Sequence, residues 1–152
     1  MDLSELGISG PGIALVCLKD QDKAPEVIDA LNEIGLSSVS QALSQKEALD
    51  KMKYNLYDIV VIEDGFGGPI EESQIMSEFQ NMSVSQRRQI FLVIIGDRWE
   101  TANAIQAFSL SVNLIVNYRL LDKIKEGIAS AMIRNNRFYK VFNECREAMG
   151  KV

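Results

Sequence analysis

Four stretches of this chain are apolar without a break, at residues 13–18, 59–62, 90–95 and 114–116. Runs of that kind, bounded by polar and turn residues, predict strands buried on both faces of a parallel sheet. A fifth, more polar strand is predicted at residues 37–42. Between the strands, apolar residues recur at helical spacing. The sets are Val27, Ile28, Leu31 and Ile34; Ala48, Leu49, Met52 and Leu56; Ile75, Met76 and Phe79 within 71–81; and Ala104, Ile105 and Phe108 facing inward. Pro25 suits the first turn of the first helix and Gly35 its end. Ser44 and Glu47 have the spacing of a capping box, Asn117 is placed as an N-cap, and residues 83–89 read as a polar link. Strand and helix alternate five times. The pattern predicts an α/β, doubly wound five-stranded parallel sheet with helices on both faces.

The two ends depart from this rhythm. Residues 1–12, with Gly7, Gly10, Pro11 and Gly12, read as a flexible leader, and residues 13–134 as the domain proper. In the last segment Leu121, Ile124, Ile128 and Met132 make one apolar stripe. After Asn135 and Asn136 a second stripe runs through Phe138, Val141, Phe142, Cys145 and Met149, so residues 135–152 are expected to be a helical extension. Two readings stand for it: a helix folded back on its own domain, or a projecting amphipathic element that docks on a partner or a second copy.

The third apolar run ends abruptly in Glu63, Asp64 and the turn Gly65-Phe66-Gly67-Gly68. Doubly wound sheets bind ligands just beyond the carboxyl ends of their strands, so these residues mark a crevice. Asp20 and Asp97 fall at the same edge, and the four acids are a candidate weak cation cluster, although helix starts attract acids in any case. The glycine turn lacks the Lys-Ser/Thr of a phosphate loop and precedes Glu71 and Glu72, which would repel an anion. Arg98 and Trp99, beyond the fourth strand, read as an interface anchor, the alternative being that Trp99 is a partly buried core residue.

Composition narrows the chemistry. A chain of 152 residues with 47% hydrophobic and 24% charged positions is ordinary for one folded domain. A net charge of −5 without a basic run argues against nucleic acid, and no apolar segment reaches the roughly 20 residues that span a bilayer. The acidic start does not resemble a signal peptide, which gives a cytoplasmic expectation. The absence of histidine excludes Ser-His and Cys-His nucleophiles and histidine-ligated zinc. Cys17 and Cys145 lack metal-ligand spacing, and Cys17 is expected in the core.

Tyr57-Asp58-Ile-Val-Val-Ile, within five β/α units of this length, resembles the third strand of response-regulator receiver (CheY-like) domains, and the resemblance extends over residues 13–132. In that family a phosphoacceptor aspartate lies five residues after the first aspartate; here the position is Glu63, with Asp64 its neighbour. The resemblance implies an acidic pair after the first strand for Mg²⁺, a hydroxyl after the fourth and a lysine after the fifth. Those positions hold Leu18 and Lys19 (with Asp20 near), Ile95 or Gly96, and Asn117. Phosphoryl transfer depends on positioned charge, so their joint loss implies a non-catalytic pseudo-receiver without a cofactor or metal. Glu63 is then expected as a carboxylate solvated at the crevice mouth, the alternative being a permanent charge that mimics the phosphorylated state. The implied role is protein recognition in bacterial signal transduction, through the fourth helix, fifth strand and last helix. Candidate contacts are Trp99, Phe108, Tyr118, Phe138, Tyr139 and Phe142, with a protein partner or a second copy in a homodimer. Two alternatives stay open: a phosphorylatable receiver using Asp64 with Asp20 as metal ligand, and a flavodoxin-like small-molecule binder.

Overall fold

The computed structural model describes residues 2–150. Strands β1 (Ile13–Cys17), β2 (Ser38–Ala42), β3 (Ile59–Glu63), β4 (Phe91–Gly96) and β5 (Leu114–Asn117) form one parallel sheet in the order β2-β1-β3-β4-β5. Six α-helices connect and cover it: α1 (Ala24–Ile34), α2 (Gln45–Tyr54), α3 (Gln74–Asn81), α4 (Val84–Arg88), α5 (Ala104–Leu110) and α6 (Ile124–Ala148). Because successive strand residues point to opposite faces, β3 divides its side chains between two cores. Ile59 and Val61 join Val27, Leu31, Ile128 and Met132 under α1 and α6. Val60 and Ile62 join Ala48, Ile75, Phe79 and Ala107 under α2, α3 and α5. The doubly wound sheet expected from the apolar runs is present.

The predicted caps are in place. Pro25 opens α1, and Gly35 closes it in the left-handed conformation at φ 114°. Ser44 accepts the Glu47 N–H at 3.1 Å, while the Glu47 carboxylate takes the N–H of Leu43 at 3.2 Å, one residue earlier than a capping box requires. Asn117 accepts the N–H of Arg119 at 3.0 Å and turns the chain out of the sheet.

Four expectations are corrected. Residues 83–89 are not merely a link: Ser83 accepts the Gln86 N–H at 3.2 Å and starts the short helix α4. Residues 2–12 are not a loose leader, since Leu3–Leu6 form a 3₁₀ turn and Leu6 and Ile8 are buried in the α1/α6 core. Leu56 is exposed, because α2 ends at Tyr54 and the chain is extended beyond it. On α5, Asn103 sets the register by accepting the Gln106 N–H at 3.0 Å, which turns the small Ala107 inward. Ile105 and Phe108 consequently face outward, 81% and 87% exposed.

The last segment is one continuous helix across Asn135 and Asn136. Its buried residues end at Met132, and residues 140–148 are all exposed. The amide of Asn136 donates to the carbonyl of Glu5 at 3.4 Å, bracing the helix against the amino-terminal turn. Among the described residues no helix is long and apolar enough to cross a membrane.

Candidate functional site

The carboxyl edge of the sheet gathers the ends of β1, β3, β4 and β5, the place where a doubly wound fold concentrates chemistry. Glu63 is the last residue of β3, paired with Ile95 of β4, and it is 1% exposed. Its expected solvation at the crevice mouth is therefore corrected. One carboxylate oxygen accepts the backbone N–H of Asp20 at 2.8 Å, and the other accepts the Tyr118 hydroxyl at 2.6 Å. The Lys23 ammonium stands 4.0 Å away and lies 4.5 Å above the Tyr118 ring. A buried carboxylate persists only when its lone pairs are met in this way. Burial, followed by the bond to Glu63, raises the Tyr118 hydroxyl well above the usual phenol range, so Tyr118 remains a donor.

Asp64, one residue on, turns to the other side of the strand, as the pleat requires. Arg98 grips it with two N–H groups at 2.7 and 3.0 Å, and the Ile70 N–H adds a third bond at 3.1 Å. Arg98 also donates to Glu71 at the start of the next segment and stacks 4.4 Å over Trp99. Burial pulls the Asp64 carboxyl upward, but Arg98, the Ile70 N–H and Lys19 outweigh it and hold the group below its ordinary value. Two acids adjacent in sequence thus belong to two separate networks.

The remaining degenerate positions have structural occupations. Leu18 is buried in the core. Lys19 lies over Gly65, where an added Cβ would come within 3.0 Å of its ammonium. Asp20 caps the next turn through the Asp22 N–H at 3.0 Å and pairs with Lys23 at 2.6 Å, which keeps its carboxyl below the ordinary value. Ile95 is buried, and Gly96 leaves room for the Trp99 ring, 3.2 Å from where a Cβ would stand. At the lysine position, the Asn117 amide donates to the Trp99 carbonyl at 2.8 Å. The nearby Thr101 hydroxyl accepts the Asn117 N–H at 2.8 Å. Both groups tie the β4–α5 loop to β5.

A receiver's Mg²⁺ requires several oxygen ligands converging at near-octahedral geometry. The donors here do not fit it: Asp20 is committed to Lys23, Asp64 to Arg98, and Glu63 to Tyr118 and the Asp20 backbone. Among the described residues no three acidic or cysteine side chains are grouped to hold a metal ion. The four-acid cluster drawn from the sequence is not brought together. Cys17 is buried, and burial pushes its thiol up to about 12, leaving it an unreactive core residue.

The candidate interface residues separate into distinct places. Tyr118 turns its hydroxyl into the crevice, which corrects its assignment as an outward contact. Trp99 is half-buried against Gly96. Phe108 is exposed on α5 beside the exposed Ile105, while Phe138, Tyr139 and Phe142 lie on the far half of α6, with Arg88 5.2 Å over Tyr139. A groove of about 530 Å³ between α3, α4 and α6 is lined by Phe79, Met82, Val84 and Tyr139. Sequence reasoning missed Lys23 and the Arg98–Asp64–Glu71 bridge. Only Lys23 left a local signal, three residues from Asp20 on one side of a helical turn.

No protein-family model and no curated protein matches the sequence. Solved structures do match. HP1043, an orphan response regulator of H. pylori, superposes with a TM-score of 0.59 at 16% identity, over 82% of this chain and 99% of its own. A sensor protein from Polaromonas sp. JS666 gives 0.60 at 14% identity, over 83% and 99%. The CheY-like protein TadZ from Pseudomonas aeruginosa PAO1 gives 0.53 at 17%, over 80% and 98%. With its strand order, its helices on both faces and these neighbours, the chain has the CheY-like fold of response-regulator receivers.

Proposed function

We propose that this chain is a pseudo-receiver: a non-catalytic, phosphorylation-independent module that recognises a protein partner in bacterial signal transduction, in the cytoplasm. The observation that carries this reading is the occupation of both candidate acceptors. Glu63 is sealed beneath Tyr118, and Asp64 is held by Arg98. A phosphoryl group on Asp64 would have to displace that guanidinium, and among the described residues no three acidic or cysteine side chains are grouped to hold a metal ion that would neutralise the added charge. Recognition then falls to the surface. The outward residues Ile105 and Phe108 of α5, with Leu120 after β5, form the apolar part of the face that the receiver resemblance implies.

Incubation with a small phosphodonor and Mg²⁺, followed by intact-mass measurement, tests the reading. The expected spectrum is that of the unmodified chain. A phosphoryl adduct that disappears in Asp64→Asn would replace this function with the phosphorylatable one.

A further inference from the structure

We propose that the exposed carboxyl-terminal part of α6 pairs antiparallel with the same segment of a second copy of this chain. The helix continues well beyond the last residue it buries, Met132. Contacts to the domain continue through Asn136 and Tyr139, and at 1.5 Å per residue the fully exposed part, residues 140–148, runs on for roughly 13 Å. Along it Phe138, Val141, Phe142, Cys145 and Met149 repeat at helical intervals, forming one apolar stripe that is exposed among the described residues. Arg88 reaches only one flank, 5.9 Å from the Phe142 ring. The exposed rings of Phe138 and Phe142, at the point where the helix leaves the domain, make a seam of the kind two helices close between them.

The charges identify the occupant and its direction. Arg137 and Glu144 each immediately precede a stripe residue, and being seven apart they lie on the same edge of the stripe. Among the described residues neither is in an ion pair. More broadly, Arg134, Arg137 and Lys140 precede Glu144 and Glu147, between which Arg146 lies 5.8 Å over the Phe142 ring. Two copies side by side in parallel would set this edge of one helix against the opposite edge of the other, placing Arg137 and Glu144 beside the uncharged Phe142 and Met149 with no charge to pair with. Reversing one copy about an axis near Val141 sets each Arg137 against the other's Glu144, with the apolar stripe enclosed between the two pairs. The segment is thus complementary to itself in one direction only. An interface of this size is weak, with a dissociation constant expected on the order of tens of micromolar.

Sedimentation equilibrium over a wide concentration range tests the pairing. The full chain is expected to show a monomer–dimer equilibrium. Arg137→Glu, which makes the edge uniformly acidic, should weaken it about tenfold. The double exchange Arg137→Glu with Glu144→Arg should restore it to within about threefold. Mild oxidation should not link Cys145 to Cys145, since the antiparallel arrangement separates them by roughly 13 Å along the axis. A monomer at every concentration, a double exchange no better than the single one, or a ready Cys145 disulfide dimer would each overturn the proposal. None of these substitutions touches the crevice or α5, so failure here leaves the pseudo-receiver reading standing, and a phosphoryl adduct there leaves this one.

Discussion

The hydroxyl of Tyr118 lies 2.6 Å from the carboxylate of Glu63, a residue 55 positions earlier in the chain. That bond joins the exit of β5 to the end of β3 and closes the crevice from above. Tyr118→Phe deletes the donor and leaves a buried carboxylate oxygen with only Lys23 at 4.0 Å. The expected cost is about 1–3 kcal/mol in chemical denaturation. A double-mutant cycle with Glu63→Gln should show coupling of about 1 kcal/mol, and simple additivity would mean the bond contributes nothing.

Arg98 sets the acid sensitivity of the other network. Asp64 is held below its ordinary value of 3.8, so the folded state binds fewer protons than the unfolded one near that pH. The associated stability is present above 3.8 and is lost as pH falls through the lower folded value. Arg98→Ala should cost about 1 kcal/mol or less at neutral pH, since the guanidinium is partly exposed. The gap between the two proteins should close as pH drops below about 4, as read by urea midpoints. A gap that widens in acid would contradict the assignment.

Leu6 connects the amino-terminal turn to the core. Leu6→Ala should destabilise by about 2–4 kcal/mol in thermal or chemical unfolding, as a large buried side chain does. A change within about 0.5 kcal/mol would mark the segment as an unattached leader after all.

Gly67 adopts φ +72°, and a Cβ there would lie 2.3 Å from the Gln45 amide. That amide donates to the Gly67 carbonyl at 3.1 Å, and the side-chain oxygen accepts the Gln74 N–H at 3.1 Å, joining α2, the turn and α3. Gly67→Ala should cost about 1–2 kcal/mol from backbone strain alone. A neutral result would contradict that strain and show that the turn can relax out of the left-handed conformation at no cost.

On α5, the outward positions permit a clean separation of stability from recognition. Ile105→Asp with Phe108→Asp should leave the unfolding midpoint within about 0.5 kcal/mol of the parent. Loss of partner binding in that variant, with folding intact, would assign the face. Marked destabilisation would place these residues in the core.

How much of this was legible in the sequence depended on whether the physics was local. The strands were readable because runs such as 59–62 and 90–95 have no other stable place than between two helical layers. Ser44, Pro25 and Asn117 were readable because a cap acts within four residues of itself. The departures of Glu63, Lys19, Gly96 and Asn117 from the receiver pattern were visible by position, but their partners were not. Glu63 finds its donors at residues 20 and 118, and Asp64 finds Arg98, through pairings that only the assembled sheet creates. Phe108 was turned the wrong way because a seven-residue helix has too few apolar positions to fix its face without the cap. Leu6 and Ile8 were hidden among glycines, where no periodicity marks a residue for burial.

The central claim is that this crevice does not assemble a metal ion and a phosphoryl group. Its most direct test is an amide-resolved NMR titration with Mg²⁺ and beryllofluoride, a phosphoryl mimic. The expected result is that the amides of Asp64, Gly65, Gly96 and Asn117 stay where they are. New slow-exchange peaks for those residues, abolished in Asp64→Asn, would contradict the account.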